Sequence, residues 1–343
     1  MAQAQSRLER DYDFEIPRVL EWVRSNGFSS VMLQSAPGLV QYMPEIAKVI
    51  SKATGSRVAV DSRGRFGACD VYTSLPPGVN AVVHFGHTGF VNTDYPIIYV
   101  PAFSRIEISP LYATILEELR SVEKVGLEAS VQHVNALGQL KARLEEDGKT
   151  VILKQPGKRG SYPGQVVGCD YYAAIRADEE ADAHLVVSGG FFHSVGLALS
   201  VSKPVLHVDP YTGKVNWIQE AQKKRIHSFR GFAALRLMRA RKVAVLDSSI
   251  PGQRTPEVAE RVAKLIRDKN QCEDVSVFLT DLVSDQLLMH LKEMGYEVAV
   301  TASCTRLATD DYDRSPIPLF EAREVVRLYS SGLNVESGVV MLQ

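Results

Sequence analysis

A chain of 343 residues holds two or three domains at roughly 100–200 residues each. Its 45% apolar and 23% charged residues are those of an ordinary soluble globular protein with ample material for a core. A net charge of −1, from 39 basic and 40 acidic residues, argues against a nucleic-acid-coating protein and leaves only a local patch open. The polar opening MAQAQSRLERDYDFEIPRVL lacks the apolar segment of a secretory signal, and no apolar run approaches the roughly 18 residues of a membrane span. A cytoplasmic location, with no membrane and no direct nucleic-acid partner, is the expectation. Four cysteines in a chain this long do not make a disulfide framework; in a cytosolic setting they read as buried thiols, a metal site or a catalytic thiol.

In chain order, Ile16–Asn26 reads as an amphipathic helix with Val19, Leu20 and Val23 on one face and Gly27 past its end. Ser29–Gln34 is an apolar strand, Pro37-Gly38 a turn, Tyr42–Ala53 a helix closed by Gly55, and Arg57–Asp61 a second strand. Cys69 follows in a Gly-rich loop, FGACDVY. Asn80–Thr88 is a third strand that ends in His84 and His87, and Tyr95–Val100 a fourth. Pro110–Val125 and Leu137–Glu146 read as helices. Thr150–Lys154 restarts the strand pattern, and the basic loop QPGKRGSYPGQ leads to Cys169. Ala173–Asp182 reads as helix, His184–Gly189 as strand, Val195–Ser202 as a short helix and Pro204–Pro210 as strand.

After Lys214 the chain turns polar. Gln219–Arg241 reads as a long helix carrying Lys223, Lys224, Arg225, Arg230, Arg236, Arg239 and Arg241, either a solvated face or a docking surface for an acidic or large partner. Lys242–Ser249, Val275–Asp281 and Tyr296–Ser303 are strands, separated by helices over Thr255–Lys269 and Ser284–Met294. Cys304 follows in CTRLATDDY, and Pro318–Ser330 is a closing helix. Strands alternating with helices predict an α/β fold of three related, small parallel-sheet domains. Their boundaries fall at 1–107, 108–217 and 218–343, with sheets starting near Ser29, Thr150 and Lys242.

Each unit contributes one loop cysteine, Cys69, Cys169 or Cys304, placed in one equivalent loop, while Cys272 sits at a helix end. The first two share a Cys-Asp-x-Tyr pattern (Cys69, Asp70, Tyr72; Cys169, Asp170, Tyr172). No local CxxC spacing exists, so only the tertiary fold could gather these thiols, in the crevice at the carboxyl ends of parallel strands. Three thiolates suit zinc, with His84, His87 or His193 as a fourth ligand, or a [4Fe–4S] cluster with one iron left open. The plainer alternative is three buried small hydrophobes.

GACD with Cys69, VHFGHT (Val83–Thr88), GQVVGC with Cys169, SGGFFHSVGLALSVSKPVLHVDPY (Ser188–Tyr211) and CTRLATDD with Cys304 stand in order along the chain. In these pieces, and in DYDFEIPRVLEWV near its start, the sequence resembles the 2-(3-amino-3-carboxypropyl)histidine synthases in their archaeal form, the first enzymes of diphthamide biosynthesis. The resemblance implies three α/β domains, each giving one cysteine to a [4Fe–4S] cluster, in a homodimer served by an electron donor. It implies a radical use of S-adenosylmethionine, in which a 3-amino-3-carboxypropyl group passes to a histidine of translation elongation factor 2 and methylthioadenosine is released. Cys69, Cys169 and Cys304 match the ligand positions; Cys272 matches none. The chain departs at Thr305, where proline is expected, and in the looser turn Ser35-Ala36-Pro37-Gly38.

No catalytic side chain beyond the cluster is expected. Gly189 and Gly190 would let backbone approach the cofactor. His84, His87, His193 and Asp311 are candidate S-adenosylmethionine contacts, each with a structural alternative: a satisfied histidine, or a helix-capping acid like its neighbour Asp310. Asp70, Asp170 and Gln165 read as braces of the cysteine loops. Two other readings of the same residues are a quinolinate-synthase-like dehydratase, whose cluster acts as a Lewis acid, and a non-catalytic partner subunit that bears a cluster or binds the elongation factor.

Overall fold

The protein's computed structural model describes residues 10–331. The first nine residues of the predicted first domain and the last twelve of the third lie outside them. The described chain divides into two compact units, Met1–Ile218 and Gln219–Gln343.

The first unit carries two main sheets. In the first, β1 (Tyr12–Asp13) leads to α1 (Ile16–Ser25), β2 (Ser30–Ser35), α2 (Met43–Thr54), β3 (Arg57–Val60), β4 (Ala81–Phe85) and β5 (Ile97–Val100). β6 (Phe103–Ser104) pairs back, antiparallel, with β1. The four longer strands are parallel in the order β3-β2-β4-β5. Both helices begin with a proline in the first turn, where a missing N–H costs nothing. Val19, Val23, Ile46 and Ile50 pack with Val31, Leu33, Val83 and Phe85 in one core. The predicted third strand stops at Phe85 because Gly86 turns the chain at φ +95° and donates its N–H to the Val100 carbonyl.

The second sheet uses α3 (Tyr112–Glu118), β7 (Lys124–Ala129), α4 (Val134–Glu146), β8 (Thr150–Ile152), α5 (Tyr172–Ala177), β9 (Ala183–Val187), α6 (Phe192–Ala198), β10 (Val205–Asp209) and β11 (Lys214–Trp217). Its order is β11-β10-β9-β7-β8, parallel except for β11. Two expectations are corrected here. The predicted helix Pro110–Val125 ends at Glu118, and Lys124–Ala129 is the first strand of this sheet, so the sheet starts at Lys124 rather than Thr150. KVGLEA hides its strand character because Gly126 and Glu128 are poor strand formers. Gly126 is there for space: a Cβ would lie 2.5 Å from Nδ1 of the buried His184, which in turn bonds Glu128 at 2.9 Å. The polar stretch after Lys214 is likewise a strand, the half-exposed antiparallel edge β11.

The second unit comprises α7 (Glu220–Arg239), β12 (Lys242–Ser248), α8 (Pro256–Lys269), β13 (Asp274–Thr280), α9 (Asp285–Glu293), β14 (Val298–Thr301), α10 (Leu307–Asp310), β15 (Leu319–Glu321) and α11 (Ala322–Ser331). Its parallel sheet runs β13-β12-β14-β15. The predicted closing helix from Pro318 begins instead at Ala322, because Leu319–Glu321 pairs with β14 as an edge strand.

Numbered within itself, each sheet therefore has the parallel order 2-1-3-4, the repeat that the Cys-Asp-x-Tyr echo hinted at. This order has a switch point between strands 1 and 3, where connections leave in opposite directions and open a crevice at the carboxyl ends. Among the described residues no helix is long and apolar enough to cross a membrane.

Candidate functional site

Cys69 lies on the long loop between β3 and β4. Asp70 beside it is fully buried and accepts from Arg65 Nη1 at 3.0 Å, Arg63 Nη2 at 2.8 Å and the Phe66 N–H at 3.3 Å. Arg65, also buried, pairs with Asp61 and lies over the Tyr72 ring, and the Tyr72 hydroxyl donates to Asp61 at 2.8 Å. Burial pushes the Asp61 carboxyl up, but the hydrogen bonds from Arg65 and Tyr72 and the Arg65 charge outweigh it and hold the group below the usual carboxylate range. The Arg65 N–H bonds the Ser35 carbonyl at 2.8 Å, which ties this knot to the end of β2. Beside the thiol, Gly67 leaves room: a Cβ there would stand 3.2 Å from the Cys69 sulfur.

Cys169 stands on a tighter support. Val167 and Asp170 exchange both backbone hydrogen bonds, at 2.9 and 2.8 Å, so Gly168 and Cys169 form the tip of a two-residue turn. The Asp170 carboxylate accepts the N–H groups of Arg159 at 3.2 Å and Tyr172 at 3.0 Å. Gly157 allows this, since a Cβ there would lie 2.3 Å from Asp170 Oδ2. Gln165 is buried; its carbonyl accepts from Ser161 and Tyr162, and its amide donates to Thr88 Oγ1 at 2.8 Å. That last bond joins the loop after β4 to the loop carrying Cys169. Asp70, Asp170 and Gln165 thus all occupy bracing positions.

Sequence reasoning passed over one cation in this loop. Arg159 donates its N–H to Asp170 at 3.2 Å and its half-buried guanidinium lies 5.3 Å from the Phe90 ring centre; burial works against its charge, but the neighbouring Cys169, then Cys69 and Asp170, hold its pKa above the usual value. Its signal was its setting, a long cation in a Gly- and Pro-rich loop that runs to a cysteine.

His84 is fully buried in β4; its Nε2 meets His87 Nδ1 at 2.9 Å and its Nδ1 faces the Gln34 amide at 3.2 Å. With the Gln34 amide turned to donate to His84, its oxygen accepts from Arg65, so this chain joins the Cys69 brace. Burial, then the His87 and Arg65 charges, lower the His84 pKa well below its usual value, and burial takes His87 to about 4. Both imidazoles are neutral at neutral pH. Tyr99 lies tilted beside His84, 5.1 Å between ring centres, and burial pushes its hydroxyl pKa up to about 12.

Gly189 and Gly190 are exposed at the end of β9. Gly190 has φ +65° and donates to Asp209 at 3.2 Å, and a Cβ on Gly189 would lie 2.9 Å from the Tyr211 ring. Phe192, next along α6, lies over Gly168, which puts this turn beside Cys169. His193 is half-buried with its ring edge-on to Phe192.

In the second unit, Cys304 follows β14. The expectation of one equivalent loop is therefore corrected. Cys69 and Cys169 follow the second strand of their sheets, Cys304 the third. Only residues 281–284 separate β13 from α9, too few for a loop with a braced thiol, whereas a long connection follows β14. Arg306 clamps Asp310 with bonds of 2.8 and 2.6 Å across α10. Arg230 of α7 reaches Thr309 at 2.7 Å and Glu324 at 3.4 Å, and Arg225 reaches Asp313 at 3.2 Å. Part of the basic helix thus serves to hold the Cys304 segment, a role neither sequence reading assigned. Asp311 ends α10 half-exposed with Arg314 3.4 Å away. Cys272 is remote in chemistry, its sulfur donating to the Ala240 carbonyl at 3.2 Å beside an apolar core. Among the described residues no three His, Cys, Asp or Glu side chains form a ready metal-binding group.

Three parallel sheets of one topology, each with a cysteine on a strand-end loop, define an α/β protein built from a repeated unit. The chain belongs to the diphthamide synthesis protein family: residues 36–330 match the family model described as "Putative diphthamide synthesis protein". It is 29% identical over 317 residues to the 2-(3-amino-3-carboxypropyl)histidine synthase of Pyrococcus horikoshii, covering 91% of this chain and 89% of that one. It is 25% identical to subunit 1 of the corresponding Gallus gallus synthase, covering 90% of this chain and 75% of that subunit. Its structure is similar to that of Dph2 from Pyrococcus horikoshii with a 4Fe-4S cluster, at a TM-score of 0.81 and 26% identity, covering 93% of this chain and 90% of that one.

Proposed function

We propose that this chain is the transferase of the first step of diphthamide formation. It moves a 3-amino-3-carboxypropyl group from S-adenosylmethionine to an imidazole carbon of a histidine on elongation factor 2. The γ-carbon–sulfur bond breaks, a carbon–carbon bond forms, the imidazole carbon loses its proton, and methylthioadenosine leaves. Family membership supports this reading, and the observation that carries it in the chain itself is the braced strand-end placing of Cys69 and Cys169, with the Gln165–Thr88 bond at 2.8 Å joining the loop after β4 to the loop that carries Cys169.

The residues suit a [4Fe–4S] cluster. Thiolates are soft donors fitted to iron–sulfur ligation, and Gly67 and Gly168 keep bulk away from two of the sulfurs' loops. Cys69, Cys169 and Cys304 would be its ligands, leaving one iron open. When bound, the reduced cluster would supply one electron to the sulfonium, and that electron would be given back as the imidazole adduct loses its proton. The protein's own part is to hold the thiols on rigid turns, to orient the cofactor so that the γ-carbon bond is the one that breaks, and to exclude water. Gly189, Gly190 and His193 are our candidates for the cofactor wall, because they border the Cys169 turn. His87 and Asp311 are candidates from the other strand-end loops, and His84 acts through His87. We read the three sheets as three domains, and the active form as a homodimer served by an external electron donor in the cytoplasm.

Anaerobic protein, reduced with dithionite and given S-adenosylmethionine and elongation factor 2, should release methylthioadenosine and label the factor stoichiometrically. Methylthioadenosine without label would sink protein modification, and 5′-deoxyadenosine would indicate cleavage of a different bond. A colourless, iron-free protein after anaerobic reconstitution would refute the cluster itself.

A further inference from the structure

The switch point of the first sheet carries a hydrogen-bond wire whose direction is fixed. Gln34 of β2 and His84 of β4 stand in register, on the two strands between which the connections part. Arg65 is buried, and its Nε and Nη2 lie 3.3 and 3.1 Å from the Gln34 amide oxygen. A guanidinium only donates, so the Gln34 oxygen faces Arg65 and its NH2 group faces His84. That NH2 group donates to His84 Nδ1 at 3.2 Å, so Nδ1 carries no proton. A ring with a bare Nδ1 holds its proton on Nε2. His84 Nε2 therefore donates to His87 Nδ1 at 2.9 Å. The same step repeats at His87: its Nδ1 accepts, and its proton sits on Nε2. Hydrogen-bond geometry alone thus leaves both rings neutral. His84 is fully buried, whereas His87 is half-buried, and among the described residues none hydrogen-bonds its Nε2. The next residue, Thr88, accepts from Gln165 at 2.8 Å. The wire ends, then, in an N–H donor on a segment tied to the Cys169 loop.

Resting on the transferase reading above, we propose that Arg65, Gln34 and His84 are positioning residues that hold His87 in its Nε2–H form, and that His87 donates this hydrogen to the carboxylate of the methionine portion of S-adenosylmethionine. A nitrogen that can only donate sorts the polar groups of that portion. The carboxylate accepts, and a hydrogen bond to it is charge-assisted. The ammonium offers only hydrogens, and the sulfonium carries a positive charge of its own. With its proton fixed on Nε2 and its Nδ1 occupied, His87 has no lone pair to act as a base. The proton that leaves the imidazole carbon of the elongation factor therefore goes to another acceptor. Arg65 also donates to Asp70 beside Cys69 at 3.0 Å, so one cation both braces that cysteine loop and sets the polarity of the wire.

The wire can be read directly. In the full chain labelled with nitrogen-15 at histidine, two-bond proton–nitrogen correlation spectra show which ring nitrogen carries the proton. His84 and His87, assigned by the signals lost in His84→Gln and His87→Gln, should both be protonated on Nε2 and bare on Nδ1. Gln34→Glu, which turns an acceptor toward His84, should put a proton on His84 Nδ1. Equilibrium dialysis on anaerobically reconstituted, unreduced protein then tests the contact with substrate. His87→Leu should bind S-adenosylmethionine about tenfold more weakly, the scale of one lost hydrogen bond to a charged group. It should bind methylthioadenosine, which lacks the carboxylate, within about twofold of wild type. His87→Gln keeps an N–H donor and should stay within about threefold for both ligands. A bare Nε2 on either ring of the wild type, or a bare His84 Nδ1 in Gln34→Glu, overturns the wire. Wild-type affinity for S-adenosylmethionine in His87→Leu overturns the carboxylate contact. So does equal weakening of methylthioadenosine, and so does a His87→Gln as weak as His87→Leu. If the tautomers stand and wild-type protein binds no S-adenosylmethionine, it is the transferase reading that fails.

Discussion

Replacing Arg65 by methionine tests whether the Cys69 loop is held by a buried charge knot. Arg65 is 3% exposed; its Nε donates to Asp61 Oδ2 at 2.8 Å and its Nη1 to Asp70 Oδ1 at 3.0 Å. Asp70 is fully buried, so in Arg65→Met it would retain only Arg63, which is 40% exposed, and the Phe66 N–H. Removing one partner of a buried ion pair costs about 3–5 kcal/mol, because the other charge stays behind. For a unit of this size that corresponds to a fall of roughly 6–20 °C in Tm, at about 2–4 °C per kcal/mol. Calorimetry on the wild type and variant measures it. The triple variant Asp61→Asn/Arg65→Met/Asp70→Asn, which removes all three buried charges and leaves only the part-exposed Arg63, should recover much of the loss, since desolvating the ions is itself costly. Asp61 adds a pH signature. Its folded pKa lies below its unfolded value near 4, so its stabilisation is present above about pH 4 and is lost as pH falls through the lower folded value. Arg65→Met should lack that limb. A loss below about 1 kcal/mol in Arg65→Met, or a triple variant as unstable as the single, would refute the reasoning.

Gly164→Ala should cost about 2–4 kcal/mol in urea unfolding, because Gly164 sits at φ +72° and its new Cβ would meet the Leu127 carbonyl at 2.7 Å. Gly190→Ala, at φ +65° with open space around it, should cost only about 1–2 kcal/mol; equal losses would show that the close approach is irrelevant. Cys169→Ala should abolish iron binding on reconstitution while Cys272→Ala retains wild-type iron, and iron loss in the second variant would overturn the ligand assignment. His133 is buried and its pKa is pushed down to about 4, burial outweighing the Asp209 charge. The unfolded chain takes up that proton near pH 6.5, so stability present above pH 6.5 should fall by roughly 3 kcal/mol on acidification to pH 4. His133→Asn should flatten that slope in urea titrations at pH 7 and 4.5; identical slopes would exclude the histidine as the cause.

What the sequence discloses depends on how far apart the interacting groups lie in the chain. AVVHF, AHLVV and VLHVD read as buried parallel strands because such strands are apolar along both faces, and they form β4, β9 and β10. KVGLEA fails that reading because Gly126 makes room for His184 and Glu128 bonds it, a requirement set by a residue of another strand. The edge strands β11 and β15 fail for the opposite reason: being short and partnered on one side, they need little apolar pattern. Cys69 and Cys169 are legible as loop residues because Gly and Asp mark their loops, and Cys304 because it follows an apolar strand. Their loops are not equivalent, and a cysteine per sheet does not reveal this, because it does not say which strand precedes the cysteine. Gln165 is the deepest case. It lies four residues before Cys169, and its amide donates to Thr88, 77 residues earlier, on the loop after β4 of the other sheet. A residue whose role is to meet partners from two sheets leaves no periodic trace. The chemistry of such a site is therefore written in the register of the loops, and the braces at Asp70, Asp170 and Gln165 are where that register can be broken without touching a sulfur.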